Sequence, residues 1–230
     1  MLHHTFSPGS RSRLTRHDLG RFTGPSLFDR LARALCEAGC LPRKELYEAW
    51  ELARRARRLF RGGRVVDVGG GHGLLATVML VLDDSSPSAI VVDAAVPPSH
   101  EKVRQVLVDV WPRLDGRVSF TGRTVQHVVL EPSDVVVSSH ACGSLTDQVL
   151  AKAADAGARV AVLPCCHAID AVDDQGLRGW MDGAAAMDTV RALTLQARGY
   201  RIWTQRIPAE ITPKNRLLMG APVRRPSPQR

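Results

Sequence analysis

The segment Val65-Val66-Asp67-Val68-Gly69-Gly70-Gly71-His72-Gly73-Leu74-Leu75 constrains the fold of this chain more than any other. A β-branched run, a cluster of glycines and an apolar helical start, in that order, predict a buried strand, a tight turn and a helix. Glycines are needed where the backbone must turn sharply and let a ligand approach without Cβ atoms in the way. The pattern reads D-x-G-x-G-x-G. It is not the nicotinamide fingerprint, which would want Gly or Ala at position 74, where Leu74 stands. Nor is it a phosphate-binding P-loop, because no G-K-[ST] follows the glycines.

From Arg64 onward, short β-branched runs alternate with helical segments, the pattern of βα units in a parallel sheet. Strands are expected near 64–68, 89–93, 117–121, 134–138 and 158–163, with helices near 73–82, 99–111, 144–156 and 183–198. Two further strands, 200–206 and 217–221, flank a loop containing Pro208, Pro213, Lys214, Asn215 and Arg216. Before the sheet, Ser26 is placed to cap a helix ended by Gly39. Pro42 suits the first turn of a second helix, with Leu46, Trp50, Ala53 and Leu59 or Phe60 as its buried stripe. The expected organisation is a disordered arm at 1–25, a helical extension at 26–63, an α/β domain at 64–222 and a disordered tail at 223–230.

A second acid at the end of strand two would bind ribose hydroxyls, and Ile90-Val91-Val92-Asp93 supplies it, 26 residues after Asp67. Asp67, Gly69, Gly71, Gly73 and Asp93, with Ser138 at the end of strand four, resemble the cofactor cradle of S-adenosylmethionine (SAM) enzymes, a resemblance that would put Asp67 near the amino acid moiety and Asp93 at the ribose. That resemblance implies an α/β, Rossmann-like fold of the class I methyltransferase kind. It has a seven-stranded, mostly parallel sheet, helices on both faces and an N-terminal helical extension.

Strand four runs into Ser139-His140-Ala141-Cys142-Gly143-Ser144-Leu145-Thr146-Asp147, and strand five into Pro164-Cys165-Cys166-His167. Both segments leave the carboxyl edge of a parallel sheet, where ligands bind, so two histidines and three cysteines should converge. Three readings stay open: a zinc site, without the usual C-x-x-C spacing; a covalent mechanism in which a cysteine such as Cys165 attacks C6 of a pyrimidine; and small thiols that only line a pocket. His140 and His167 are the candidate proton acceptors, since imidazole titrates near 6.5. Cys142, Asp147 and Cys166 are expected on the acceptor side. Ser144 and Asp147 also have the spacing of a capping box.

These paired motifs resemble the methyltransferase domain shared by the tRNA 2′-O-methyltransferases of the acceptor stem and their uncharacterised relatives, which read approximately H-x-C-G-x-x-T-D and C-C-H. The resemblance covers about residues 60–221 and implies a SAM-dependent methyltransferase. It departs at Ser139, where the tRNA enzymes carry Lys, and in the absence of a counterpart to their zinc-binding segments.

The chain carries 31 Lys and Arg against 23 Asp and Glu, a formal charge of +8, which favours an anionic partner such as RNA. Arg54, Arg55, Arg57, Arg58, Arg61 and Arg64 on one side and Lys214 and Arg216 on the other are the expected phosphate grip, with Lys214, Asn215 and Arg216 expected to bind substrate. An Arg-rich composition also follows from genomic base bias. Five cysteines with an adjacent pair do not resemble a disulfide framework. Residues 1–13 lack an apolar signal region, and the apolar run at 74–82 is shorter than the roughly 20 residues a membrane span needs. The expectation is a cytoplasmic enzyme acting on RNA, with no membrane association and no resident metal. The alternatives are a methyltransferase of a small molecule or protein, or an inactive SAM- or RNA-binding scaffold.

Overall fold

A computed structural model of the 230-residue chain describes residues 6–165, 167 and 175–223. Seven strands, β1 (Val65–Val68), β2 (Ala89–Val92), β3 (Val118–Thr121), β4 (Val135–Ser138), β5 (Arg159–Val162), β6 (Tyr200–Arg206) and β7 (Arg216–Pro222), form one sheet in the order β3-β2-β1-β4-β5-β7-β6. The first five are parallel; β7 is antiparallel to β5, and β6 to β7. β1, β4 and most of β5 are buried, as their continuous Val runs require of strands covered on both sides. The chain order reverses between β1 and β4, and there the carboxyl edge opens a crevice.

The connecting helices are α3 (Leu74–Leu82), α4 (His100–Val110), α5 (Ser144–Asp155) and α6 (Gly183–Ala197). Two apolar clusters form on the sheet. The larger joins β1 and β4 to α3 and to the N-terminal helices; the smaller gathers Val149, Leu150 and Ala153 of α5 and Leu195 of α6 against Val136, Val160 and Leu218. No described helix is long and apolar enough to cross a membrane.

The extension consists of α1 (Leu27–Ala38) and α2 (Arg43–Leu59). Ser26 Oγ accepts from the Asp29 amide, and Gly39 closes α1 at φ 66°. In α2 it is Phe60, just past the helix, that is buried, while Leu59 is exposed. The described part of the expected arm, 6–25, is packed rather than disordered: Leu14 and Phe22 are buried, and the Leu14 amide bonds the Leu41 carbonyl. Single apolar anchors hold this segment, so no periodicity announces it.

α2 starts at the carboxyl edge, where Lys44 stands near His140, and delivers the chain to the amino end of β1, which carries Arg57, Arg61 and Arg64 away from the crevice. Arg54 and Arg55 pair with Glu51 on their own helix. Arg57 is buried on Asp83 and Ser86, Arg61 pairs with Asp83, and Arg64 pairs with Asp134 at the amino edge. Arg57, Arg61 and Arg64 thus stand at the amino edge, whereas Arg55 also reaches the Arg206 carbonyl at the end of β6.

Candidate active site

The glycine loop leaves β1 directly above Asp67. Gly69, Gly71 and Gly73 have φ of 66°, 49° and 74°, a region that L side chains seldom enter. Asp67 is fully buried and accepts from the Ala76 amide at 3.0 Å, while its other oxygen, Oδ1, has no partner among the described residues. Burial pushes this carboxyl up to about 7, with Asp93 adding to the rise and the Ala76 N–H opposing it. Gly70, an unspecified position in the pattern, is needed as well, because a Cβ there would stand 2.7 Å from the Asp67 carboxyl.

Asp93, at the end of β2, accepts from the Gly71 amide at 2.9 Å and from the Ala95 amide at 3.0 Å. It borders a cleft of about 260 Å³ lined also by Val68, Gly69, Arg123, Gln126, Leu145 and Gln148. The cleft residues after β3 carry no glycine or charge pattern of their own, and sequence reasoning missed them. Ser138 is not in this cradle: it is buried and donates to the Val68 carbonyl at 2.6 Å, tying β4 to β1.

These residues fit SAM. The orphan oxygen of Asp67 is a ready acceptor beside the loop, Gly71 leaves open space where a Cβ would stand, and Asp93 lines a cleft at the switch point. Asp93 would hold the ribose hydroxyls, and the 69–73 loop the methionine end.

On the β4 side, His140 lies against this loop: a Cβ on Gly69 would be 3.6 Å from its carbonyl oxygen. The residue is exposed, yet enough protein surrounds its ring to push the imidazole below the usual 6.5, chiefly by desolvation and then by the ammonium of Lys44. Accessibility together with desolvation marks a side chain on the wall of a crevice. Lys44 belongs to α2 and pairs at 3.3 Å with the buried Glu48; its neighbour Glu45 stands 4.0 Å from His72 of the glycine loop. The helical extension thus completes the rim.

His167, Asp147 and Arg216 are brought together in a different role. His167 Nε2 bonds Asp188 Oδ1 at 2.9 Å, with the His167 side chain 4% exposed; Arg216 Nε donates to Asp188 Oδ2 at 2.7 Å. Arg191 is buried, donates to both oxygens of Asp147 at 2.7 and 2.9 Å, and reaches Asp188 and the Gly143 carbonyl at 3.2 Å. Burial opposes ionisation of Asp188, but hydrogen bonds from His167 and Arg216 hold its carboxyl below the usual range. This network ties the loops after β4 and β5 to α6 and β7. Its centre, Asp188 and Arg191, went unnoticed in the sequence, where an i,i+3 pair on a helix reads as a solvated face.

Asp147 faces Arg191 rather than closing a capping box, and Gly143 is the N-cap residue of α5. Cys142 is exposed and Cys165 half-buried, with their sulfurs 3.0 Å apart; Cys166 lies outside the described residues. Asn215 donates to the Ile207 carbonyl and so shapes its own loop, while Lys214 is exposed on the same rim.

The family model of a methyltransferase domain matches residues 45–170, more than half of the chain. A search of curated proteins finds no match to the sequence. Among solved structures, the apo form of the S-adenosylmethionine-dependent methyltransferase SibL is 21% identical with a TM-score of 0.51, over 94% of this chain and 67% of that one. The mitomycin 7-O-methyltransferase MmcR is 17% identical with a TM-score of 0.51, over 89% of this chain and 60% of that one. PH1948 of Pyrococcus horikoshii, a candidate RNA methyltransferase, is 18% identical with a TM-score of 0.51, over 90% of this chain and 96% of that one. At these identities the three neighbours share the fold. With the family match spanning α2 to the loop after β5 and the cradle in place at the switch point, the chain belongs to the methyltransferase domain family and is a class I, SAM-dependent methyltransferase.

Proposed function

We propose that the enzyme methylates a hydroxyl of RNA, with His140 as the general base. The observation that carries this reading is the state of His140: accessible, at the end of β4 against the cofactor loop, with no hydrogen bond from its ring to the described residues, and desolvated so that the neutral, proton-accepting form prevails at pH 7. SAM supplies a methyl group already activated on a sulfonium. The chain must therefore align the acceptor, keep water out and take up the acceptor's proton. His140 is the group on the crevice wall suited to take that proton. His167 is the weaker candidate, since its Nε2 is engaged by Asp188.

An RNA acceptor is supported by the formal charge of +8 and by cations on the crevice rim: Lys44, Lys214 and Arg123 at the cleft. The test is incubation with isotopically labelled SAM and separate cellular RNA, protein and small-molecule fractions. Label in RNA is the expected result; label confined to another fraction removes RNA as the acceptor. With the acceptor in hand, the rate should climb with pH through a single ionisation below 6.5 and then level off. A rate that falls over that interval would remove His140 as the base.

A further inference from the structure

Cys142 and Cys165 are carried on segments that leave neighbouring strands. Ser138 of β4 is in register with Val162 of β5, and the Leu163 amide continues the ladder to the Ser138 carbonyl. Each segment is then anchored near its cysteine. The Leu145 amide bonds the Cys142 carbonyl and Arg191 bonds the Gly143 carbonyl, while His167 is fixed on Asp188. The 3.0 Å between the two sulfurs thus rests on ties to both backbones. A disulfide needs about 2.05 Å, so the sulfurs must close by only about 1 Å.

Two other cysteines show the contrast. Cys36 is buried in α1 with its thiol pushed up to about 11, mainly by burial, and Cys40 is half-buried with its thiol also raised. Neither offers a thiolate near neutral pH.

We propose that Cys142 and Cys165 are an oxidative modification site, closing to a reversible disulfide that straps together the two loops beside His140 when the protein meets a peroxide. Cys142 is the more exposed and reacts first. Its thiolate attacks one peroxide oxygen, the O–O bond breaks, and Cys142 becomes a sulfenic acid as the peroxide is reduced to water or an alcohol. The thiolate of Cys165 then attacks the Cys142 sulfur; the S–S bond forms and hydroxide leaves, taking up a proton as water. The strap ends two residues from His140 and involves none of Asp93, Gly71 or the cleft after β3. SAM affinity should therefore stay within about twofold. Transfer should fall by roughly 10- to 100-fold, because the acceptor must be aligned to within about 1 Å.

The test treats the full chain with hydrogen peroxide, blocks remaining thiols with an alkylating agent and maps the product by mass spectrometry. The expected product has lost two hydrogen atoms, reverts with dithiothreitol, is absent in Cys142→Ser and Cys165→Ser, and persists in Cys166→Ser. No link, a link that survives Cys165→Ser, or Cys142 driven only to sulfinic acid would overturn the site. If Cys165→Ser does not fold, the exposed Cys142→Ser variant still decides. Transfer by the linked enzyme as fast as by the reduced one would overturn the strap. The transfer arm rests on the acceptor reading above, whereas the disulfide map does not, so the two can fail separately.

Discussion

On the β1–β2 side of the carboxyl edge, two carboxylates meet backbone amides: Asp67 takes the Ala76 N–H and Asp93 takes those of Gly71 and Ala95. On the β4–β5 side, side chains meet one another across long stretches of sequence, as when Arg191 reaches Asp147, 44 residues away. The first half is written in one short pattern, because its geometry follows from glycine conformations and strand ends. The second depends on which side chains α6 and β7 bring to the loops.

The comparison predicts different kinds of damage. The largest effect on stability should come from Arg191→Ala. Removing the buried guanidinium strips Asp188 of one partner and Asp147 of its only described one, and should cost about 3 kcal/mol, the low end for a broken buried pair because Asp147 is 39% exposed. Urea denaturation checks this, and a loss of less than about 0.5 kcal/mol would show that the network does not hold the β4–β5 side together.

Asp93→Ala strikes the cofactor side. It should weaken SAM binding roughly 10- to 150-fold in calorimetry, the loss of charge-assisted hydrogen bonds of about 1.5–3 kcal/mol. Unchanged affinity would move the ribose site away from β2. The smallest effect is a pH dependence. Asp67 near 7 must ionise to favour the cationic ammonium, so SAM affinity should rise about tenfold from pH 6 to pH 8 and become flat in Asp67→Asn. The sign for the ligand-free protein is opposite. A carboxyl raised from 3.8 to about 7 keeps its proton in the folded state, so its contribution to stability is present at low pH and lost as pH rises through 7.

Much of the sheet was legible in the sequence. The β-branched runs place the five parallel strands within about a residue of where they form, since buried parallel strands leave little else such runs can be, and the two antiparallel strands at the end of the chain also form within about a residue of the expected ranges. The glycine loop and Asp93 were legible for the same local reason. Ser138 was misassigned because its place at the strand end said nothing of its side-chain direction, which is toward the Val68 carbonyl. Arg57 and Arg61 could not be placed from their position on α2 alone, because it is the helix direction that carries them to the amino edge. Asp188, Arg191 and Lys44 have no local signature at all; their meaning comes from partners that only the folded chain supplies.

The division of labour along this edge can be tested on His140 alone, by measuring SAM binding and methyl transfer on one preparation of His140→Ala. Binding should stay within about twofold of the parent, while transfer to the acceptor falls by roughly 10² to 10⁴, as for a lost general base. Transfer retained at the parental rate, or binding and transfer lost in parallel, would contradict the account.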